Sequence, residues 1–347
     1  MKRRVLLSGL LLAGMSGMEA WALTPQNVFQ FGQVVHGAQG QLYLATNRGL
    51  FVKANEQAPW RELMGPNSTR IDANRLALND RGDLAAGDRN DTYVLRQASS
   101  TWEVMRHEDH MNSPWVAGAD FFAIGDRGRL WRAEGGRWVT ANKGSWGESL
   151  DVRGLAWAWG QLFLATDQGV LESLDEGRSW RQSAEAKSLG VIDTLLSAQG
   201  RCLYAHTWYR TYGQEHLPSL FVRQEQSGSW RRFAANKLVD HRTWSEQLLV
   251  VDGNVAYVQV YGGTPPRARL FRVQDGQIWT EIDPPFDDGQ GYISQLLLTP
   301  QHLYARTENV IYRSADQGKR WEPFVTSSAI FALARLSQAG AHQPGNS

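Results

Sequence analysis

The stretch Ser173-Leu174-Asp175-Glu176-Gly177-Arg178-Ser179-Trp180 returns later in the chain as Ser314-Ala315-Asp316-Gln317-Gly318-Lys319-Arg320-Trp321. Both copies read S-x-D-x-G-x-x-W, and this spacing predicts a hairpin. The serine ends one strand, and the aspartate carboxylate accepts backbone N–H bonds within the loop. The glycine supplies a positive φ angle, and the tryptophan packs on the sheet where the next strand begins. Two copies of such a turn indicate a repeated structural unit.

Weaker copies of the unit run along the whole chain. Seven tryptophans follow a short apolar run and a polar turn, at spacings of 42, 36, 42, 50, 49 and 42 residues: Trp60, Trp102, Trp138, Trp180, Trp230, Trp279 and Trp321. The strands upstream repeat as well, since Leu42–Thr46 has the same pattern as Leu162–Thr166. A period of roughly 40–50 residues with several short strands per unit is typical of propeller blades. The sequence therefore predicts an all-β, seven-bladed β-propeller, because a β-sandwich with irregular turns would not give this period.

The motif closely resembles the Asp-box, or bacterial neuraminidase repeat, which is found in sialidases and in many propellers that are not sialidases. That resemblance implies a structural turn rather than a catalytic site at two sets of residues: Ser173, Asp175, Gly177 and Trp180, and Ser314, Asp316, Gly318 and Trp321. The chain also resembles the photosystem II assembly-factor group and its bacterial relatives, through these repeats and the run Asp126-Arg127-Gly128-Arg129-Leu130-Trp131. It departs from that group in having few intact Asp-boxes. The resemblance implies a non-catalytic factor that assembles or stabilises a complex of the cell envelope.

The first 22 residues have the pattern of a secretory signal peptide. Lys2-Arg3-Arg4 precedes an apolar run from Val5 to Met15, and Ala20-Trp21-Ala22 offers a cleavage site after Ala22. The apolar run is too short for an ordinary transmembrane helix. We therefore expect a periplasmic or secreted protein with a propeller at residues 23–336 and a flexible tail at 337–347. The run Ala329–Leu336 is strand-like, and we expect it to pair with the first blade or to fill the gap between blades 1 and 7.

Composition and charge exclude several classes of partner and cofactor. The formal charge is +1, and removal of the signal peptide lowers it, so neither nucleic acid nor an anionic membrane surface is indicated. Cys202 is the single cysteine, which excludes a disulfide within the chain and indicates a buried small hydrophobe. His107-Glu108-Asp109-His110 is interpreted as a solvent-facing loop, and Asp287-Asp288-Gly289 lacks the spacing of a calcium loop. No metal or cofactor is predicted.

The long loops predict where a ligand binds. Each of them joins strands 2 and 3 of a blade or one blade to the next, so all of them lie on one face of the propeller, and such loops commonly carry function. Aromatic and arginine side chains concentrate there, and the candidate partner-binding residues are Trp208, Tyr209, Arg210, Tyr212, Trp244, Tyr261 and Arg267. Trp, Tyr and Arg are typical of protein-interaction hot spots, and they also suit stacking on sugar rings. The alternative is that these aromatics only pack the loops onto the rim.

Two functions follow, and the first is a protein-binding scaffold in the cell envelope. The second is a carbohydrate-active propeller, either a sialidase-like glycoside hydrolase or a lectin-like glycan binder. Resemblance to sialidases would require an arginine triad, a tyrosine nucleophile activated by glutamate and an acid/base aspartate. The nearest match to that family's early Arg-Ile-Pro motif is Arg70-Ile71-Asp72, which lacks the proline. No catalytic residue is predicted, although Arg70, Asp72 and Tyr261 would be the candidates in an enzyme.

Overall fold

The computed structural model describes residues 29–87, 91–107, 112–125, 129–141, 150–183, 189–207, 219–232, 243–262, 267–275, 278–282 and 292–341. Twenty-eight strands in this part of the chain form seven four-stranded antiparallel sheets. The predicted all-β, seven-bladed β-propeller is therefore confirmed. The predicted signal peptide lies outside the described residues.

The strands follow one another blade by blade. Blade 1 contains β1 (Phe31–His36), β2 (Leu42–Thr46), β3 (Gly49–Lys53) and β4 (Arg61–Leu63), and a 3-10 turn (Pro66–Ser68) follows it. Blade 2 contains β5 (Arg75–Leu78), β6 (Leu84–Gly87), β7 (Asp91–Arg96) and β8 (Thr101–Arg106). Blade 3 contains β9 (Asn112–Ala117), β10 (Asp120–Ile124), β11 (Leu130–Glu134) and β12 (Arg137–Thr140). Blade 4 contains β13 (Val152–Ala158), β14 (Gln161–Thr166), β15 (Gly169–Ser173) and β16 (Arg181–Gln182).

The second half of the ring repeats the plan. Blade 5 contains β17 (Ile192–Ala198), β18 (Cys202–Thr207), β19 (Ser219–Arg223) and β20 (Arg231–Arg232). Blade 6 contains β21 (Thr243–Asp252), β22 (Val255–Gly262), β23 (Arg267–Gln274) and β24 (Ile278–Ile282). Blade 7 contains β25 (Gln295–Leu298), β26 (Leu303–Arg306), β27 (Val310–Ser314) and β28 (Glu322–Thr326), and a helix α1 (Ser327–Ala341) follows it.

Every blade is a meander in which strands 1 to 4 pair in chain order. The first strands of neighbouring blades contact one another around the whole ring, including β25 with β1, so they form the inner ring. Second strands such as β2 and β14 are almost entirely buried, because neighbouring blades cover both of their faces. We call the side with the 1–2 and 3–4 turns the turn face, and the side with the 2–3 turns and the links between blades the long-loop face.

The seven tryptophans explain the period of the sequence. Each one begins or immediately precedes the fourth strand of its blade, or is the second residue of that strand. Each also belongs to, or packs against, a different one of seven apolar clusters, and each cluster lies between that blade and the preceding one. Trp180, for example, packs with Phe122 and Leu130 of blade 3. The repeated tryptophan therefore fills one blade interface, and seven interfaces close the ring.

The two S-x-D-x-G-x-x-W loops join strands 3 and 4 of blades 4 and 7, on the turn face. In the first loop, the Gly177 N–H donates to Ser173 Oγ at 2.8 Å, and the Ser179 N–H donates to Asp175 Oδ1 at 2.7 Å. The second loop has equivalent bonds from Gly318 and Arg320. Burial raises the pKa of Asp175, but the bonds from Ser179 and Ser173 outweigh burial and hold that pKa below its usual value.

The glycine of each loop is required by the neighbouring blade as well as by the backbone. Gly177 and Gly318 have φ angles of 87° and 93°, a region that L side chains rarely adopt. A Cβ at Gly318 would lie 2.8 Å from Ile282 Cγ2 of blade 6, and one at Gly177 would lie 3.3 Å from Phe122 of blade 3. The loops therefore dock against the preceding blade, and the contact is tighter at Gly318 than at Gly177.

The C-terminal run corrects the sequence prediction. Residues 327–341 form helix α1, so the predicted strand at Ala329–Leu336 is wrong, and the helix continues into the segment predicted to be a flexible tail. Ile330 and Ala334 are buried with Phe31 of β1 and Val325 of β28. Apolar residues four apart lie on one face of a helix, which a strand could not present to this seam. The prediction that the run fills the gap between blades 1 and 7 describes its position correctly.

Among the described strands none is exchanged between the first and last blades, because all four strands of blade 1 precede blade 2 and all four of blade 7 follow blade 6. Side chains join them instead. The Gln295 side chain accepts from the Val34 N–H at 2.9 Å and donates to the Val34 carbonyl at 2.8 Å. On the turn face, the Glu56 carboxylate of blade 1 accepts a hydrogen bond from the Tyr304 hydroxyl. The same carboxylate lies 2.6 Å from His302 Nδ1 and 3.4 Å from Arg313 Nη1. Non-covalent contacts therefore close the ring.

Candidate functional site: the long-loop face

The first strand of every blade begins at the long-loop face, and we call this end of the inner ring the mouth. The groups at this mouth include Arg75 of β5, Arg153 of β13, Asp193 of β17, Gln247 of β21 and Tyr292 just before β25. All of these positions follow a link between blades, except Gln247, which lies further along its strand. The mouth is therefore polar, in contrast to the apolar clusters between the blades.

Asp193 organises one side of the mouth. Arg153 Nη1 lies 3.8 Å from Asp193 Oδ1, and His206 Nδ1 lies 3.7 Å from Asp193 Oδ2. The contact with His206 lowers the pKa of Asp193, burial opposes this, and the charge of Arg153 lowers the pKa further. His206 is only 2% exposed, so its imidazole is buried beside Asp193 and does not face the solvent.

Tyr292 is an exposed aromatic group at the mouth. It is 50% exposed, and its hydroxyl donates to Gln247 Oε1. Burial raises the pKa of the phenol, and the negative charge of Asp193 raises it further, so Tyr292 is a neutral donor at physiological pH. The sequence analysis did not predict Tyr292 as a site residue. Its place at the end of the long link Pro284–Tyr292 could have marked it, because an aromatic residue at a loop boundary is a signal of a binding site.

Arg75 and Arg306 lie at the opposite side of the mouth. Arg75 begins β5, and Arg306 ends β26, so both lie at the long-loop end of their strands. Arg306 Nη1 donates to the Phe31 carbonyl oxygen at 2.8 Å. Burial lowers the pKa of both groups, and with the neighbouring Arg75 charge it lowers the pKa of Arg306 to about 10. Sequence reasoning missed this pair, because the two residues come together only when the ring closes.

The structure places three of the predicted partner-binding residues at one end of blade 6. Trp244 lies in β21, Tyr261 near the end of β22 and Arg267 at the start of β23. Tyr261 pairs with Ser245 and Ala268, and Arg267 pairs with Gly262. Arg267 is exposed. The other four predicted residues, Trp208, Tyr209, Arg210 and Tyr212, lie outside the described residues, as does the segment 108–111 of the predicted solvent loop.

The three candidate residues for an enzyme are divided between the link after blade 1 and blade 6. Arg70 lies in the link between blades 1 and 2, where its Nε is 2.7 Å from Glu62 Oε1 and its Nη2 donates to the Ala334 carbonyl of the helix. Tyr261 lies on blade 6, so blades 7 and 1 separate it from Arg70 and Asp72. Arg70 therefore joins this link to β4 and to helix α1.

Two further properties concern only the part of the chain that the structure describes. No three His, Cys, Asp or Glu side chains cluster there as a metal site would require. None of the described helices is long and apolar enough to cross a membrane.

Cys202, which the sequence predicted to be buried, begins β18 and is partly exposed. Partial burial raises the pKa of its thiol.

Comparison with known proteins identifies the fold but no family. The sequence matches no protein-family model and no curated protein. Among solved structures, the GH74 xyloglucanase from Xanthomonas campestris is similar with a TM-score of 0.59 at 15% identity, over 86% of this chain and 56% of that chain. The present chain thus spans just over half the length of that enzyme.

Two further neighbours have nearly the size of this chain. The virginiamycin B lyase from Staphylococcus aureus has a TM-score of 0.53 at 9% identity, over 80% of this chain and 91% of that chain. YCF48 bound to D1 peptide has a TM-score of 0.53 at 12% identity, over 80% of this chain and 90% of that chain. At these identities the likeness extends to the seven-bladed fold alone, and propellers of this shape include both enzymes and proteins that bind other proteins.

Proposed function

We propose that this protein is a non-catalytic binding scaffold of the cell envelope that holds a protein partner on its long-loop face. The observation that carries the proposal is the difference between the faces. On the turn face, the two S-x-D-x-G-x-x-W turns satisfy their own polar groups, whereas the long-loop face collects the long loops and links and the exposed Arg267 and Tyr292. Exposed aromatic and arginine side chains on a rigid scaffold suit protein recognition.

The sequence pattern supports the same proposal. The two S-x-D-x-G-x-x-W loops are the structural turns of an Asp-box repeat in this interpretation, so the repeat stabilises the ring and does not perform chemistry. The signal-like pattern of the first 22 residues supports a location in the periplasm or outside the cell. A propeller of similar fold, YCF48, is known bound to a D1 peptide, so the fold can present such a surface. Function lies in the site rather than in the fold, so an experiment must decide.

Affinity capture of the tagged mature protein from envelope extracts, followed by mass spectrometry, tests the proposal. We expect one specific envelope protein with the wild type, and loss of that protein with Trp208→Ala or Trp244→Ala. Leu174→Ala is the matched control, because Leu174 is 57% exposed but lies on the turn face. Retention of the partner by both tryptophan variants contradicts the proposal, and so does its loss from the control.

A different result would favour the carbohydrate-active alternative. If no protein is captured, the wild type and the same variants can be applied to a glycan panel that includes sialosides, with both binding and hydrolysis measured. Saturable binding that depends on Trp208 or Trp244 would identify a lectin-like protein, and turnover would identify a hydrolase. Either outcome would replace the scaffold proposal.

A further inference from the structure

Arg75 and Arg306 come from blades 2 and 7, which lie on either side of blade 1, and the charge of Arg75 is close enough to act on Arg306. Arg306 donates to the carbonyl oxygen of Phe31, the first residue of β1. The next residue, Gly32, lies against the backbone of Asn74, since a Cβ there would be 2.6 Å from the Asn74 carbonyl oxygen. Asn74 directly precedes Arg75, and its carbonyl accepts from the Gln33 N–H at 2.9 Å. The inner strand β1 therefore lies between the two arginines at the long-loop end of the ring.

The two guanidinium groups carry charge that the described residues do not balance. Other half-buried arginines, such as Arg96 and Arg132, lie within 3.1 Å of a carboxylate oxygen. No described carboxylate pairs with Arg75 or Arg306, and the Phe31 carbonyl is the one acceptor that the described residues offer Arg306. The Nε of Arg306 is buried without a described acceptor. Burying two like charges without a partner is unfavourable unless another group supplies the opposite charge.

The chemistry of Arg75 and Arg306 indicates which kind of ligand would balance their charge. Both side chains are partly exposed, so a small ligand can reach them from the long-loop face. Arginine stays protonated at neutral pH and presents a planar set of donors that match two oxygens of a carboxylate or phosphate. Charge-assisted bonds of this kind are stronger than neutral ones, most of all where water is largely excluded. A cation or a neutral sugar would leave the same donors without an anion.

We propose that Arg75 and Arg306 form an oxyanion site at the mouth of the inner ring, which binds a carboxylate or phosphate group. Arg306 is held by the Phe31 carbonyl, and Arg75 approaches the anion from the opposite side of β1. This site is independent of the protein partner proposed above, since it uses different residues and a different class of ligand. It also explains why two arginines converge where the ring has no described carboxylate to receive them.

Thermal unfolding and calorimetric titration test the site with inorganic phosphate and with succinate, each added at constant ionic strength against sodium chloride. We expect a saturable rise in the melting temperature, because a ligand that binds the folded state alone stabilises it. Arg75→Gln and Arg306→Gln should each weaken binding about tenfold or more, which corresponds to the loss of a charge-assisted hydrogen bond. Arg137→Gln removes the same charge from an exposed position on the turn face and should leave binding unchanged.

Melting temperatures of the variants without anion distinguish anion binding from a structural role of the two arginines. Arg75→Gln should melt at or above the wild-type temperature without anion, because it removes repulsion from Arg306, while losing the response to anion. If Arg306→Gln fails to fold because the Phe31 carbonyl loses its donor, Arg75→Gln still decides. A response to phosphate alone or to succinate alone identifies the ligand class. The proposal is overturned if the wild type shows no saturable response, or if Arg75→Gln keeps the wild-type response.

Discussion

The two faces of this propeller satisfy their charged groups differently. On the turn face, Glu56 lies against three partners from blade 7, and Asp175 is bonded within its own loop. On the long-loop face, Asp193 is also paired, but Arg75 and Arg306 face no described carboxylate. Polar groups that the chain satisfies itself hold the ring together. Charged groups that the chain brings together without neutralising them point to a ligand. We therefore interpret the turn face as structural and expect binding at the long-loop face.

The largest effect is expected where the long-loop face itself stabilises the ring, at helix α1. Ile330 is fully buried in the seam between blades 7 and 1, so Ile330→Ala should lower the free energy of unfolding by about 2–5 kcal/mol. Urea or thermal unfolding measures the loss. Phe331, the next residue, is 39% exposed, and Phe331→Ala should cost less than half as much. Equal losses in the two variants would show that the helix does not seal the seam.

A graded effect is expected from glycines of the turn face. Gly318→Ala forces a left-handed backbone and a contact of 2.8 Å with Ile282, and should destabilise the fold by about 2–3 kcal/mol. Gly177→Ala has a similar φ but a nearest contact of 3.3 Å, so it should cost less. Gly253→Ala meets nothing within 4 Å and should cost about 1 kcal/mol. A loss at Gly253 as large as at Gly318 would mean that docking on the preceding blade contributes nothing.

A smaller effect with a defined pH range is expected at Asp83, in the 1–2 turn of blade 2. Burial raises the pKa of Asp83, but bonds from the Gln97 N–H, Arg96 and Asn79 outweigh it and hold the pKa below its usual value. A carboxylate with a lowered folded pKa stabilises the protein above its unfolded pKa and loses that contribution as the pH falls through the folded pKa. The wild type should therefore lose stability on acidification below about pH 4.

Asp83→Asn is the matched variant for that pH dependence. It should be less stable than the wild type at neutral pH, because Arg96 loses part of its charge pairing, and the difference should narrow as the pH falls. Melting temperatures measured between neutral and acidic pH give the comparison. A difference that stays constant across this range would show that the charge of Asp83 does not contribute.

The fold could be predicted from the sequence because its repeat has a physical cause. Each of the seven tryptophans fills one blade interface, so their number and spacing fix the number of blades. The glycine and aspartate of the S-x-D-x-G-x-x-W stretch likewise have local roles within one hairpin. Interactions that recur in every repeat leave a pattern that can be recognised along the chain, without any knowledge of how the blades are arranged.

The helix and the arginine pair could not be predicted in the same way. The run Ala329–Leu336 is apolar almost throughout, so strand and helix periods are hard to distinguish, and only the seam that buries Ile330 and Ala334 decides between them. Arg75 and Arg306 lie far apart in the chain and belong to different blades. Nothing local marks them among the many arginines, because their proximity is created by closure of the ring.

If the long-loop face is the binding surface, the partner lies against that face and leaves the turn face free. The most direct measurement is site-specific photocrosslinking in intact cells, with a photoreactive phenylalanine analogue at position 267 or at position 137. Both positions hold exposed arginines, the first on the long-loop face of blade 6 and the second on the turn face of blade 3. We expect a discrete crosslinked species from position 267 and none from position 137. Crosslinks from position 137 alone, or equal crosslinks from both positions, would contradict it.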